Sequence, residues 1–240
     1  MLTAEANERL TRVGSGTPMG DLMRRYWIPV RPLALLKEQD VMPVRILGED
    51  LVLFITKKGD LGLIGERCPH RMTMMKYGIP DEDGLRCCYH GWMFAPDGQC
   101  IDTPLESPTN KLKDQVKIGS YPVQEMGGLV WAYMGPQPVP LLPPWDLFVM
   151  PNAIRQIGIT HLECNWLQCH ENTGDPAHSV YLHGYNFKYI LEKKGELEER
   201  TKDRQMSTLH SRMDMGRGIE SLYAHETQYG MEKGINYSKA

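Results

Sequence analysis

Four residues able to ligate a soft metal lie within one short stretch of the chain. Cys68-Pro69-His70 is followed by sixteen residues and then by Cys87-Cys88-Tyr89-His90-Gly91-Trp92. Two thiolates and two neutral imidazoles brought together make a soft metal site. The pairing suits a two-iron cluster held asymmetrically, with Cys68 and Cys87 on one iron and His70 and His90 on the other. Imidazoles in place of two thiolates leave such a cluster less negative. Its potential then rises to roughly −150 to +300 mV, from about −400 mV for all-thiolate ferredoxins. The competing reading is a structural zinc ion on the same four side chains, although zinc fingers favour wider Cys-x2-4-Cys pairs over Cys-x-His.

A second chemical stretch runs from Asn165 to Gly184 and places Asp175, His178 and His183 at D-x2-H-x4-H. On a regular helix three residues put Asp175 and His178 on one face. Five residues leave His178 and His183 about 140° apart. The two imidazoles can therefore meet one metal only if the helix ends or distorts before His183, and Gly184 is the expected terminator. The alternative is that Asp175 caps a helix begun by Pro176, with both histidines ordinary surface or packing residues.

The elements that must position these residues are short. Residues 1–26 read as helical, with Thr17-Pro18 as N-cap and first helical residue and Leu22, Met23 and Tyr26 on one face. From Trp27 onward β-runs are expected at Trp27–Val30, Val44–Leu47, Leu51–Thr56 and Leu61–Glu66, with turns at Gly48-Glu49-Asp50 and Lys58-Gly59-Asp60. Closely spaced strands of this kind predict a small antiparallel sandwich or barrel with the two ligand pairs at hairpin tips. The Met-rich run Met72, Met74 and Met75 is expected to cover the metal site. A final hairpin turns at Gly127-Gly128. Residues 136–149 open with a proline-rich run and read as a linker. Ile157–Cys164 alternates as a strand would.

Composition excludes several classes. With 27 Lys and Arg against 30 Asp and Glu, the net charge of −3 offers no basic footprint for nucleic acid. No apolar run reaches the roughly 20 residues of a membrane helix, and residues 1–20 lack the apolar core of a secretory signal. No disulfide is expected, which agrees with a cytoplasmic location. Cys88, Cys100, Cys164 and Cys169 are read as small buried hydrophobes.

Cys68-Pro69-His70-Arg71 with Cys87-x-x-His90-Gly91-Trp92 resembles the Rieske signature of ring-hydroxylating oxygenases. Asn165-Trp166 with Glu171-Asn172, Asp175, His178 and His183 resembles the mononuclear-iron motif of the same family. The amino-terminal segment resembles the phthalate dioxygenase and aryl O-demethylase type. The resemblance implies an α+β chain: a helical segment at 1–26, an all-β Rieske domain at 27–135, a linker at 136–149 and the first part of an α+β catalytic domain at 150–240. It further implies a [2Fe-2S] cluster on Cys68, His70, Cys87 and His90, and mononuclear Fe(II) on His178 and His183. Asp175 would bridge an iron-bound histidine to a cluster histidine of a neighbouring subunit, in a trimeric ring.

Electrons would come from NAD(P)H through a separate flavin and iron–sulfur reductase, to activate O2 on an aromatic substrate. The family's third iron ligand, a carboxylate, lies well beyond the histidine pair. Glu192, Glu196, Asp203, Asp214 and Glu226 match no family motif, so the chain is expected to be a piece of a longer subunit or to be completed by a second chain. A Rieske electron carrier without oxygenase activity stays open as the alternative.

Overall fold

The computed structural model describes residues 2–107, 109–197, 219–228 and 230–237. The chain divides into two compact units, Met1–His161 and Leu162–Ala240. It is an α+β protein. In the first unit the order is α1 (Ala4–Thr11), α2 (Pro18–Met23), β1 (Trp27–Pro32), α3 (Leu33–Gln39), β2 (Val41–Ile46), β3 (Glu49–Ile55) and β4 (Leu61–Gly65). Four very short strands follow, β5 (Ile79–Pro80), β6 (Leu85–Arg86), β7 (Met93–Phe94) and β8 (Cys100–Asp102). The unit closes with α4 (Leu112–Gln115), β9 (Ser120–Tyr121), β10 (Val123–Met126), β11 (Leu129–Tyr133) and α5 (Asp146–Val149).

Three antiparallel sheets result, in the orders β1-β11-β10, β2-β3-β4-β9 and β5-β6-β7-β8. Strand β3 explains their packing. Side chains alternate along a strand, so Leu51 and Leu53 enter one apolar cluster with Val30, Leu36 and Val130. Val52 and Phe54 enter a second with Ile64, Leu85 and Phe94. Burial on both faces is why Leu51 to Ile55 is apolar without a break. Phe54 lies so close to Gly62 on β4 that a Cβ there would meet the ring at 2.3 Å.

Turn chemistry sets the register. Ile46 pairs with Glu49 across a two-residue turn, with Leu47 at φ 46° and Gly48 at φ 85°. Met126 pairs with Leu129 across Gly127 and Gly128, at φ 66° and 83°. Positive φ at both central residues is the type I′ geometry that matches strand twist. The first turn therefore sits one residue before Gly48-Glu49-Asp50, and Glu49 and Asp50 belong to β3. Pro43 is accommodated because β2 is an edge strand.

The amino-terminal segment forms two short helices in place of one. Leu22 and Tyr26 are exposed, and the buried anchor is Arg24 instead. Its guanidinium donates to the carbonyls of Val13 (2.8 Å), Gly20 (3.2 Å) and Leu47 (3.2 Å), and to Glu49 Oε1 (2.7 Å). Tyr121 donates its hydroxyl to the other oxygen of Glu49 at 2.5 Å. The proline-rich segment lies inside the first unit. Tyr133 Oη donates to Pro136 O (2.9 Å), Trp27 Nε1 to Pro140 O (2.9 Å), and Phe148 meets Trp131 edge-on. Ile157–Cys164 forms no strand; its apolar side chains are exposed and no described strand pairs with it.

The second unit contains α6 (Trp166–Gly174), α7 (His178–Val180), a π-turn (Tyr181–Tyr185), α8 (Asn186–Lys194), β12 (Ile219–Thr227) and β13 (Gly230–Tyr237). The two strands form an antiparallel hairpin.

Burial, followed by the bond to Glu49 and its charge, pushes the Tyr121 hydroxyl up to about 12. A phenol pKa of roughly 10 in the unfolded chain means that this stabilisation is complete below pH 10 and lost as pH rises towards 12. Urea midpoints of the wild type should therefore fall more steeply between pH 10 and 12 than those of Tyr121→Phe. Parallel pH dependences of the two proteins would contradict this.

Candidate metal centres

The first centre is built from two loops of the same construction. One is the tip joining Arg67 and Met74, which form an isolated antiparallel bridge. The other joins β6 and β7, where Arg86 faces Met93. In the first loop the Cys68 amide donates to Thr73 O (2.9 Å) and the Met72 amide to Cys68 O (2.9 Å). In the second, the Cys87 amide donates to Trp92 O (2.7 Å) and the Gly91 amide to Cys87 O (3.1 Å). Each chain reversal has its fourth residue after cysteine at positive φ, Met72 at 59° and Gly91 at 76°. A Cβ on Gly91 would also approach Pro104 Cγ to 2.8 Å.

These loops sort their ligands by depth. Cys68 and Cys87 are buried in the second apolar cluster, at 1% and 4% exposure. His70 and His90 lie half-buried at the rim, with ring centroids 4.6 Å apart. His70 stacks flat on buried Trp92 (4.5 Å, 4° between planes), and Tyr89 covers His90 at 3.8 Å. Burial, with Cys87 adding to it, pushes the Cys68 thiol up to about 11, although the backbone amides of His70 and Arg71 pull it down. A buried thiol pair in this setting ionises readily only against a cation. Partial burial, then the charges of His70 and Arg71, lower the His90 imidazole from its ordinary value, which favours the neutral ring. The Cys68 and Cys87 side chains meet one another, as do the His70 and His90 rings, and a sulfur pair beside an imidazole pair fits a two-iron group.

Of the Met-rich run, only Met75 is fully buried, and it packs into the core; Met72 is 61% exposed and serves as the turn residue. Cys100 is buried as expected, whereas Cys88 and Cys164 are exposed and Cys169 is half-buried. Residues 88 and 89 lie at the outer tip of a loop that turns Cys87 inward, so Cys88 has no core to enter. Cys164 and Cys169 meet at the start of α6, with Sγ atoms 3.6 Å apart.

The second centre lies on the α6–α8 run. Asn165 caps α6 by accepting the Leu167 amide (3.0 Å), and Asp175 ends it. Asp175 Oδ1 then accepts the Ala177 amide at 2.7 Å, which turns the chain into α7. Gly184 does not terminate a helix. The helix widens, with the Asn186 amide bonded to Tyr181 O five residues back. It continues to Lys194, where Gly195 at φ 69° forms the cap. This i→i+5 turn brings a residue and the fifth after it onto one side, and π-turns of this kind concentrate at functional sites. His178 and His183 meet with centroids 5.2 Å apart and planes at 72°.

Nδ1 of His178 is buried and makes no hydrogen bond, while Asp175 Oδ2 lies 3.5 Å from it, near enough for an ion pair but out of hydrogen-bond alignment. An orphaned buried nitrogen beside a carboxylate, with a second imidazole adjacent, fits a metal-binding pair. Of the downstream acids, Glu192 pairs with Lys188 (3.6 Å) and Glu226 lies exposed on β12. Asp203 and Asp214 fall outside the described residues.

Residues 26–122 match the Rieske [2Fe-2S] domain. The 5,5'-dehydrodivanillate O-demethylase oxygenase subunit of Sphingobium sp. is 50% identical over 198 residues, covering 81% of this chain and 47% of that protein. The phthalate 4,5-dioxygenase oxygenase subunit of Pseudomonas putida is 41% identical over 194 residues, 78% of this chain and 43% of that protein. Among solved structures, an oxygenase–ferredoxin complex of carbazole 1,9a-dioxygenase is similar at a TM-score of 0.55 and 26% identity, over 73% of this chain and 44% of that one. The chain thus spans about half the length of the relatives it matches.

Gly91→Ala tests the second loop. A side chain at positive φ costs about 1–2 kcal/mol, and the Pro104 contact adds to it. The variant should unfold at lower denaturant, and an unchanged midpoint would show that the loop relaxes freely. Residues 26–122 of the chain are a Rieske [2Fe-2S] domain, and the chain as a whole is similar to the oxygenase subunits of Rieske ring-hydroxylating and O-demethylating systems.

Proposed function

We propose that this chain works in the oxygenase component of a Rieske non-haem iron system. There it would pass electrons from a [2Fe-2S] cluster to mononuclear Fe(II), and so activate O2 to hydroxylate, dihydroxylate or O-demethylate an aromatic substrate. The observation that carries the reading is the π-turn. It joins His178 to His183 in the same chain that holds a Rieske domain. Cys68 and Cys87 would hold the inner iron of the cluster, and His70 and His90 the outer one. His178 and His183 would hold the lone iron, leaving further positions for a carboxylate, O2 and substrate. When bound, the two groups supply stored electrons and an O2-binding ion.

The residues of the chain do the rest. Trp92 fixes the plane of His70 by stacking. Asp175, from beside His178, would accept a hydrogen bond from the Nδ1–H and so set ring orientation and basicity. The same carboxylate, half exposed at 49%, would reach a cluster histidine of a neighbouring subunit, which implies a head-to-tail trimeric ring. An O-demethylation, as in the name of the Sphingobium relative, and an aromatic acid, as in that of the Pseudomonas one, are the substrate classes that these likenesses favour. A separate reductase carrying flavin and iron–sulfur groups would bring electrons from NAD(P)H. A cytoplasmic location belongs to the proposal on the reading that no disulfide forms; separately, among the described residues no helix is long and apolar enough to cross a membrane. The domains would run 27–135 for the Rieske part and 150–240 for the start of the catalytic part, with 136–149 between them.

Asp175→Asn decides between this reading and a bare electron carrier. It should keep iron and labile sulfide at wild-type stoichiometry and lower product formed per reduced cluster by about 10–100-fold. An electron carrier would be reversibly reduced, form no O2-dependent product and be indifferent to Asp175→Asn and His178→Ala alike. Colourless protein with zinc and no sulfide would defeat both readings.

A further inference from the structure

Each cluster loop is preceded by an arginine that reaches over it. Arg67 stands immediately before Cys68 and donates from Nη1 to Met72 O at 3.3 Å. Arg86 stands immediately before Cys87 and donates from Nη1 to Gly91 O at 2.7 Å. In both, the accepting carbonyl belongs to the positive-φ residue that follows the cysteine by four. The device is the same twice, but it is not equally strong. Arg67 is 45% exposed and its described ion pair is with the adjacent Glu66 at 3.2 Å. Arg86 is 25% exposed and held from two sides: Nη1 also meets Asp102 Oδ2 at 2.7 Å, and Nη2 and Nε meet Asp81 Oδ2 at 3.0 and 3.2 Å. Asp81 comes from just after β5 and Asp102 from β8, so the fork ties both outer ends of the small sheet to the base of the second loop.

We propose that Arg86 is the positioning residue of the second ligand loop. Its guanidinium, locked by Asp81 and Asp102, fixes the Gly91 carbonyl. That carbonyl lies in the peptide joining Gly91 to Trp92, so the turn that follows His90 is held, and with it the approach of the His90 imidazole. A planar guanidinium with several fixed donors suits this role, whereas an ammonium is a single point charge. The same group balances two carboxylates at the loop base. Its loss leaves Asp102 without this partner and Asp81 with the more distant Lys57 (3.7 Å), makes the surroundings more negative and disfavours the added electron. This inference rests on the cluster reading above.

The test uses the purified chain and needs no turnover. Arg86→Gln should shift the reduction potential to more negative values by at least threefold in the one-electron equilibrium, about 28 mV at 59 mV per tenfold. It should also change the g-values of the reduced protein. Arg67→Gln should shift the potential less. A brace for the sheet alone would lower thermal stability and leave potential and g-values as they are. That result, a positive shift, or a larger effect from Arg67→Gln overturns the proposal. If Arg86→Gln loses its iron, Arg86→Lys decides. Retained iron with altered g-values supports the fork, and wild-type g-values and potential refute it. Wild-type protein without labile sulfide would instead defeat the cluster reading, a separate outcome.

Discussion

Two thiols held at the edge of an apolar core, with two imidazoles left at the rim above them, are the constraint around which the first unit is arranged. Burial opposes ionisation of Cys68, and the few backbone amides that favour it do not win. A positive group between the sulfurs would remove that conflict, so the geometry is poised for one without being held by it. The two histidines instead lie half-buried at the rim. Stacking on Trp92 and cover from Tyr89 keep them placed without enclosing them. Depth therefore divides the candidate ligands into an inner sulfur pair and an outer imidazole pair. If a cluster were bound there, its exposed side would be the imidazole side.

Strand β3 makes this possible because its two faces serve different purposes. One face seals the sandwich, and the other supplies Val52 and Phe54 as the floor beneath the cysteines. In the second unit the corresponding device is a widened helical turn. It changes the angular spacing of the two histidines from about 140° on a regular helix to one that brings their rings within 5.2 Å, with Asp175 set beside His178 by its own bond to the Ala177 amide.

Much of this was legible in residue spacing. The Cys-x-His and Cys-x-x-His pairs, the strands between Trp27 and Glu66, the Gly127-Gly128 turn and the cap at Thr17 all depend on local chemistry that sequence records directly. Helix α3 was missed, although Leu33-Ala34-Leu35-Leu36-Lys37-Glu38-Gln39 consists of good helix formers; it is short and lies between strands. The π-turn carries no compositional mark, and only the requirement that two histidines meet hinted at a distortion. The supposed strand at Ile157–Cys164 failed because alternation predicts a half-buried strand only where a partner strand exists. The prolines of 136–145 do rule out regular structure, but loops without it can still be tied down. Side chains from β1 and β11 bind the carbonyls of Pro140 and Pro136.

The buried Arg24 has a practical bearing on where this protein may be trimmed. Similarity to the Rieske domain begins at residue 26, and a shortened version starting there would look complete by that criterion. It would lack the cation that sits between Leu47 and Glu49, leaving a partly enclosed carboxylate facing only the Tyr121 hydroxyl. The recognisable domain and the smallest stable piece are thus different objects here. The second has to keep the stretch from Val13, whose carbonyl completes the ring of acceptors around that guanidinium.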